Sequence, residues 1–287
     1  REQMSDNKRR VAIVTDSTSS LTQAMGRGSG IHVVPIEITA GSQTYRDGID
    51  LDADLFYRLL LESKSPPISS QPTVAAFLQT YSSLAQQAEA IVSIHISREM
   101  SATLESAQSA REALPEVPIY VIDSRSVSMG LGLIAISAAR AAAAGQDATK
   151  VVQLVEELIP RMNTIFTVDT LEYLRKGGRI GGATAFLGTT LSIKPILHVE
   201  NGRIEPLERQ RTRKRSVARL LELMEQRVGT SEVHAAILHC DALADAQDLC
   251  GQVAARFHCA ELLTVEAGPV IGTHAGPGTL GIVFYRA

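Results

Sequence analysis

The sequence is poor in aromatic residues and has no large excess of either charge. It contains no tryptophan, and aromatic residues make up 4% of its 287 residues. Proteins that bind single-stranded nucleic acid stack bases on aromatic rings, so this composition disfavours such a surface. Lys and Arg total 28 against 31 Asp and Glu, a formal net charge of -3. Because no overall positive field attracts nucleic acid, we expect no nucleic-acid partner, and any basic site must be local.

Cysteine is scarce, and long hydrophobic runs are missing. The three cysteines are Cys240, Cys250 and Cys259. Their number is odd and they lack C-x-x-C spacing, which favours reduced thiols over disulfides or a zinc site. The longest apolar run, 130–144, contains Ser137 and Arg140 and is shorter than the ~20 residues that span a membrane. Since residues 1–6 are polar, we expect no signal peptide. Together with the cysteine spacing and the short apolar run, this predicts no metal site, no integral membrane segment and a cytoplasmic location.

The signatures of several common enzyme classes are also missing. The sequence contains no P-loop, no G-x-S-x-G elbow and no H-E-x-x-H motif. Residues 276–281 match G-x-G-x-x-G, but a dinucleotide-binding loop follows a strand and opens a helix. Here the glycines run directly into a predicted strand at 280–285, so we expect no nicotinamide cofactor and no other cofactor.

The order of predicted elements indicates an α/β fold. Apolar β-branched runs at 11–14, 91–96 and 119–122 are each followed by hydroxyl-rich residues and a helical pattern. This alternation predicts a mainly parallel sheet flanked by helices. A hairpin is predicted through 36–46, with its turn at Gly41.

The length predicts two domains, with a boundary near residue 160. The N-terminal α/β domain is expected to span 9–160. The C-terminal domain, 161–287, is expected to be a smaller mixed-sheet α/β domain. Its clearest local signal is Asn201-Gly202, a dipeptide that accepts the positive φ angles of a hairpin turn.

Hydroxyl side chains precede two of the predicted helices. Ser69 and Ser70 lie shortly before Pro72, and Ser101 and Thr103 lie at the start of the next helical pattern. Helix N-termini attract anions through free backbone N–H groups, so these hydroxyls are candidates for binding one. Capping of the helix by serine is the alternative explanation.

Two further polar residues lie among glycines. Arg179 is surrounded by four glycines in 176–182, and His274 is predicted on a glycine-bounded loop within 268–278. His95 and His198 lie inside predicted strands and are expected in the core or on a sheet face. The candidate set therefore consists of hydroxyls, one Arg and one His, and it includes no pair of carboxylates. Such a set suits the binding of a carboxylate and forms no obvious catalytic triad. The alternative is an enzyme acting on a small carboxylate or phosphorylated metabolite, with His274 as acid or base and Arg179 as anion clamp.

The densest basic stretch is a set of six residues that we call the basic run. Its members are Arg209, Arg211, Arg213, Lys214, Arg215 and Arg219. The run is either a solvated surface or a docking surface for an acidic protein or phosphorylated ligand, because Arg holds carboxylates and phosphates bidentately. Regulatory binding of nucleic acid through this run is the least favoured hypothesis, since one local patch releases few counterions.

In this order and spacing, the motifs resemble the DegV family of bacterial fatty-acid-binding proteins from about Val11 to Tyr285. The matching segments are 14–18, 69–72, 100–103, 171–180, 194–197 and 272–278. The resemblance implies two α/β domains with one fatty acid in a tunnel between or beneath them. Members of the best-understood type present the bound acid to a separate kinase, which phosphorylates its carboxylate to an acyl-phosphate for phospholipid synthesis.

The resemblance also implies roles for individual residues. Ser69 and Ser101 would supply the hydroxyls that hold the carboxylate, and Arg179 and His274 would belong to the surrounding network. The expected ligand-binding set also includes Ser70 and Thr103. Arg211 matches a position linked to kinase engagement, with Arg213 beside it. Two residues depart from the usual pattern, because Ser69 replaces Thr and Ala102 replaces Gly. We expect a long-chain fatty-acid carrier that partners an acyl kinase and has no catalytic residue of its own.

Overall fold

The first sheet of the protein is parallel throughout. The computed structural model describes residues 9–62, 65–188 and 193–287. The order of strands in this sheet is β2 (Ile31–Val34), β1 (Arg9–Asp16), β6 (Ala88–His95) and β7 (Ile119–Asp123). Helices α3 (Val74–Ala85) and α4 (Thr103–Glu112) cover one face, and α5 (Met129–Ala143) and α6 (Ala148–Leu158) cover the other. The predicted parallel sheet flanked by helices is confirmed, and α1 (Gln23–Ser29) connects β1 to β2.

A small antiparallel sheet and one helix follow β2. The order of its strands is β4 (Gln43–Arg46), β3 (Glu37–Ala40) and β5 (Ile68–Ser70), and α2 (Ala53–Glu62) lies between β4 and β5. The predicted hairpin is confirmed, with β3 paired to β4 and a φ of 63° at Gly41. β5 lies between Pro67 and Pro72, in a segment for which the sequence predicts no strand. Its pairing with β3, in which Ser69 is opposite Ile38, is a long-range contact that no local pattern reveals.

The second sheet has six strands of mixed direction. Its strands are β10 (Arg203–Gln210), β9 (Lys194–Glu200), β8 (Asn163–Thr167), β13 (Leu280–Arg286), β11 (Val233–His239) and β12 (Cys259–Glu266). Among these described strands, β11 and β12 pair in parallel and the other neighbours pair antiparallel, so the predicted mixed sheet is confirmed. The turn between β9 and β10 has φ values of 51° at Asn201 and 80° at Gly202, as the Asn-Gly dipeptide predicts. Helices α8 (Arg213–Val228) and α9 (Leu243–Arg256) contact one face of this sheet.

Helix α5 lies between the two large sheets and joins their cores. It contacts β1 on one side and β11 and β13 on the other, and it is buried along most of its length. Glycines allow this close approach. A Cβ atom at Gly130 would lie 2.9 Å from Thr164 Oγ1 of the second sheet, and one at Gly132 would lie 2.7 Å from the Ser19 carbonyl oxygen. One continuous hydrophobic core therefore spans both sheets.

The prediction that His274 lies on a loop is wrong. His274 lies in α10 (Pro269–Ala275), a short helix that begins with proline and ends before Gly276, whose φ is 79°. Proline is favoured at the first helical position and glycine just past the end, so the same residues that suggested a loop mark the two helix boundaries. A second short helix, α7 (Glu172–Lys176), contacts α10.

Three other features concern the cysteines, the membrane and metals. All three cysteines are free, and Cys240 is buried. Across the described ranges, no helix is both long enough and apolar enough to cross a bilayer. Among the same residues, His, Cys, Asp and Glu side chains form no group of three or more that could hold a metal ion.

Candidate functional site

The tertiary structure brings Ser69 and His274 into contact. The Ser69 Oγ atom lies 2.7 Å from His274 Nε2. Pairing of β5 with β3 holds the serine, and α10 holds the histidine. Two residues that are 205 positions apart in the sequence therefore form one hydrogen-bonded unit.

His274 is a neutral imidazole at pH 7. Burial and the positive charge of Arg179 lower its pKa from 6.5 to about 4. Its Nδ1 atom is buried and has no hydrogen-bond partner among the described residues. Gly177 lies against this nitrogen so closely that a Cβ atom there would be 2.1 Å from Nδ1. The imidazole therefore interacts with other polar groups through Nε2 alone.

Arg179 connects the loop before α4 to the loop after α7. Its Nε atom donates to the Met100 carbonyl oxygen at 3.0 Å, and its Nη1 atom donates to the Gly177 carbonyl oxygen at 2.7 Å. Within the part of the chain that the structure describes, Arg179 forms no ion pair with a carboxylate, so its positive charge is not neutralised there. The guanidinium thus fixes the position of residues beside Ser101 and keeps a charge that attracts an anion.

Ser101 lies at the N-terminus of α4. Its Oγ atom lies 2.8 Å from Thr103 Oγ1 and accepts a hydrogen bond of 3.3 Å from the Thr103 backbone N–H. Thr103 is fully buried and stands behind Ser101, outside the lining of the adjacent cavity. The N-cap residue of α4 is Ala102, so Ser101 is not the cap that serine was predicted to form, although it accepts a hydrogen bond from the first N–H of the helix. Ser101 also lines the cavity.

Ser69, Ser101, Arg179 and His274, which we call the head-group set, all line one aliphatic cavity. The space inside it, including its mouth and the adjoining solvent, is about 810 Å³. Ser70 and Gln71 also line it, and its apolar lining includes Ile36, Ile96, Met100, Val127, Phe166, Leu174, Ile204, Leu238, Val270 and Ile271. Residues before and after position 160 contribute to its wall. The arrangement suits a ligand with one polar end and a long apolar part.

Three members of the head-group set also line a second depression, which we call the outer groove. Ser69, Arg179 and His274 form part of its wall, together with Pro66, Pro67, Ile68, Tyr173, Lys176, Gly177 and Thr273. The same three side chains therefore lie between the aliphatic cavity and this groove. A polar group held by them would be reachable from the groove.

A buried network behind the cavity was not predicted from the sequence. Asp16 Oδ2 lies 2.9 Å from His95 Nδ1 and accepts a hydrogen bond of 3.1 Å from the Ile96 backbone N–H. Its Oδ1 atom accepts a hydrogen bond of 3.0 Å from the backbone N–H of Thr18. Thr18 and Ile96 both line the cavity, so Asp16 shapes its wall. The signal was available, because 14–18 is one of the motif segments, but the motif alone does not reveal which backbone groups the carboxylate holds.

The tertiary contacts of the basic run differ between its members. Arg213 pairs with Asp245 at 2.9 Å, Arg219 pairs with Glu208 at 2.8 Å, and Arg209 lies 4.5 Å from the centre of the Phe186 ring. The other three, Arg211, Lys214 and Arg215, are exposed and have no side-chain partner among the described residues. Half of the run therefore makes side-chain contacts within the fold, and the other half remains available on the surface.

These observations define an α/β protein with an aliphatic cavity whose polar end is formed by hydroxyls, one Arg and one neutral His. A family model described as "Uncharacterised protein, DegV family" matches residues 10–287. The chain belongs to the DegV family, which confirms the resemblance seen in the motifs. A DegV domain-containing protein of Streptomyces coelicolor is 39% identical over 277 residues, covering 96% of this chain and 98% of the relative.

Two solved structures of DegV proteins are similar to this chain over nearly its full length. One is described as fatty acid binding of a DegV family protein from Thermus thermophilus, with a TM-score of 0.92, 33% identity and coverage of 97% of this chain and 100% of the other. The second is DegV from Bacillus subtilis, described as a fatty acid binding protein, with a TM-score of 0.90, 32% identity and coverage of 98% and 100%. Both of these relatives are described as binding fatty acids.

Proposed function

We propose that this chain binds a long-chain fatty acid and presents its carboxylate to a separate acyl kinase, which forms an acyl-phosphate for phospholipid synthesis. The observation that carries the proposal is the position of Ser69, Arg179 and His274 between an aliphatic cavity and the outer groove. The acyl chain occupies the cavity, while the carboxylate stays within reach of a second protein. The carrier itself contributes no catalytic residue, and it acts in the cytoplasm, where the kinase has access to ATP.

Affinity comes mainly from the apolar part of the ligand. Each methylene group removed from water contributes about 0.8 kcal/mol. The cavity lining is largely aliphatic, and its walls come from both 9–160 and 161–287. This supports two domains with these limits and a ligand tunnel at their interface.

The polar end of the ligand is held mainly by hydroxyl donors. His274 is neutral, and its Nδ1 atom lacks an acceptor among the described residues. Because buried N–H groups without acceptors are rare, the proton of the imidazole belongs on Nε2, from which it is donated to Ser69 Oγ. The Ser69 hydroxyl is then free to donate to the carboxylate, as is Ser101. Arg179 adds positive charge without a bidentate ion pair, so a carboxylate oxygen keeps a lone pair for attack on a phosphoryl group.

The exposed half of the basic run supports a docking role. Arg211, Lys214 and Arg215 lie where β10 leads into α8, and β10 also contributes Ile204 to the cavity wall. Exposed guanidinium and ammonium groups steer an acidic partner surface by long-range attraction. Arg213 is already paired with Asp245, so we expect Arg211 to contribute more to kinase binding than Arg213.

Native mass spectrometry of the purified protein tests the binding step. We expect a fatty-acid-sized mass that disappears after organic extraction and returns when fatty acid is added. Ser82→Ala, which changes an exposed serine of α3, is the matched control for Ser69→Ala in the same experiment. A protein that carries no such mass and refuses added fatty acids would contradict the proposal.

The presentation step needs a separate test with ATP and an acyl kinase. We expect acyl-phosphate, trapped as its hydroxamate, only when the loaded protein and the kinase are both present. Acyl-phosphate formation by the kinase alone at the same rate would contradict the presentation role and leave the binding role standing.

The alternative, an enzyme that uses His274 as acid or base, is favoured by the Ser69–His274 hydrogen bond. A nucleophile–base pair usually has a third group that orients the base, and Nδ1 of His274 has no such partner among the described residues. Turnover of a small carboxylate by the purified protein alone, abolished in His274→Ala, would favour this enzyme over the carrier.

A further inference from the structure

The inner face of the mixed sheet forms the floor of the cavity. We call Thr164, Phe166, Ile204 and Leu238 the cavity floor, because they line the cavity from β8, β10 and β11. Side chains alternate between the two faces of a strand. Phe166 and Leu238 accordingly pack with the core shared by both sheets, whereas Ile165 and Ile237 pack against α8 and α9.

Gly281 interrupts this floor in the middle of the sheet. It lies on β13, opposite Phe166 of β8 on one side and Leu238 of β11 on the other. The next residues of β13 on the same face are Val283 and Tyr285, which are large and buried. A glycine inside a central strand weakens the strand, because it adds backbone freedom to the unfolded state and offers no side chain to pack.

The reason for glycine at this position is space and not backbone conformation. Gly281 does not adopt a positive φ. A Cβ atom there would lie 2.8 Å from Phe166 Cβ, 3.0 Å from the Ile165 carbonyl oxygen and 3.3 Å from Leu238 Cδ2. Phe166 and Leu238 therefore lie over the position that a side chain of residue 281 would occupy.

We propose that Gly281 determines the depth of the acyl cavity and so the length of acyl chain that the protein selects, an inference that rests on the proposed binding of a fatty acid. Without a side chain at 281, Phe166 and Leu238 lie low on the sheet and leave room above them. A methyl group at 281 would push against Phe166 Cβ and the Ile165 carbonyl oxygen, so it would displace β8 locally together with the Phe166 side chain, and it would also push against Leu238 Cδ2. The space open to the displaced side chains is the cavity itself.

The experiment compares the wild-type protein, Gly281→Ala and Phe166→Leu with a homologous series of saturated fatty acids. For Gly281→Ala we expect the tightest-bound chain to become shorter, with about a fourfold increase in Kd for each methylene that no longer fits. Phe166→Leu should shift the preference toward longer chains. The double variant should return toward the wild-type preference. Gly251→Ala is the matched control, because a Cβ atom at Gly251 on α9 meets nothing within 4 Å.

The outcomes separate this inference from the proposed function. If the wild-type protein binds no fatty acid of the series, the proposed function fails. If the wild-type protein binds and a folded Gly281→Ala has the same chain-length profile, the inference about Gly281 is overturned. If Gly281→Ala does not fold, Phe166→Leu decides, and an unchanged profile for that variant overturns the inference.

Discussion

The hydroxyl of Ser69 and the imidazole of His274 form a 2.7 Å hydrogen bond. The bond connects the short edge strand β5 to α10, a helix that begins with a proline. The imidazole has no second partner among the described residues, so this bond alone fixes its polar end. The serine hydroxyl contacts this imidazole, and the residue lines both the cavity and the outer groove. The pair is therefore the point at which the fold controls the polar end of a ligand.

Replacing Ser69 tests whether its hydroxyl holds the carboxylate. Ser69→Ala should weaken fatty-acid binding by about 1.5 to 3 kcal/mol, because it removes a donor to a charged group. It also leaves His274 Nε2 unpaired. Ser69→Thr should keep most of the affinity, since the hydroxyl remains. Titration calorimetry of both variants measures the difference, and equal losses in the two would show that the hydroxyl is not the important group.

Replacing Ser101 tests whether this residue binds the ligand or only stabilises the start of α4. Ser101→Ala should weaken fatty-acid retention by about 1.5 to 3 kcal/mol if its hydroxyl donates to the carboxylate. Loss of the hydrogen bond to the Thr103 backbone N–H should also lower stability by about 1 kcal/mol. Retention and thermal unfolding of the ligand-free protein are measured in parallel. Lower stability with unchanged retention would show that Ser101 stabilises the start of α4 and does not bind the carboxylate.

The lowered pKa of His274 predicts a pH dependence of stability. The imidazole titrates near 6.5 in the unfolded chain and near 4 in the folded protein. Between these values the unfolded state binds more protons, so the free energy of unfolding should fall as pH decreases from about 6.5 to about 4. His274→Asn should have a weaker dependence in this window. Thermal unfolding of both proteins as a function of pH measures it, and parallel curves would contradict the assignment.

Asp47 predicts a dependence of the opposite sign. The residue is 2% exposed, and burial raises the pKa of its carboxyl group from 3.8 to about 7. Here the folded state binds more protons, so the contribution of Asp47 to stability is lost as the pH rises from about 4 to about 7. Asp47→Asn, which stays neutral, should therefore gain stability relative to wild type as the pH increases through this window. A difference in melting temperature that does not change with pH would contradict this explanation.

Arg211 tests the docking surface. Arg211→Glu should slow association with the kinase by about tenfold at low salt, because it reverses an exposed charge. Fatty-acid affinity should stay unchanged. Arg256→Glu, at the exposed end of α9, is the control for a charge reversal elsewhere on the surface. Kinase binding that is equally weakened by both variants would indicate a general charge effect and no specific docking site.

Local sequence patterns predicted most of the regular structure. The apolar runs form β1 and β6, which are mostly buried, and the edge strand β7, which is partly buried. The turns at Gly41 and Asn201-Gly202 follow from residues that accept positive φ angles. The pattern failed where a structure depends on distant partners. β5 forms because it pairs with β3. The segment of α10 was predicted to be a loop because glycines lie within and around it.

The sequence by itself therefore determined the two kinds of sheet and the family, together with the residue types at the polar end of the site. Only the tertiary structure decided how those residues act. Ser69 meets His274 across 205 positions, and Arg179 reaches the Met100 carbonyl oxygen. Likewise, the space left at Gly281 exists only because β13 lies between β8 and β11. Local propensity acts over a few residues, whereas cavities and hydrogen-bonded pairs arise when distant strands and helices pack together.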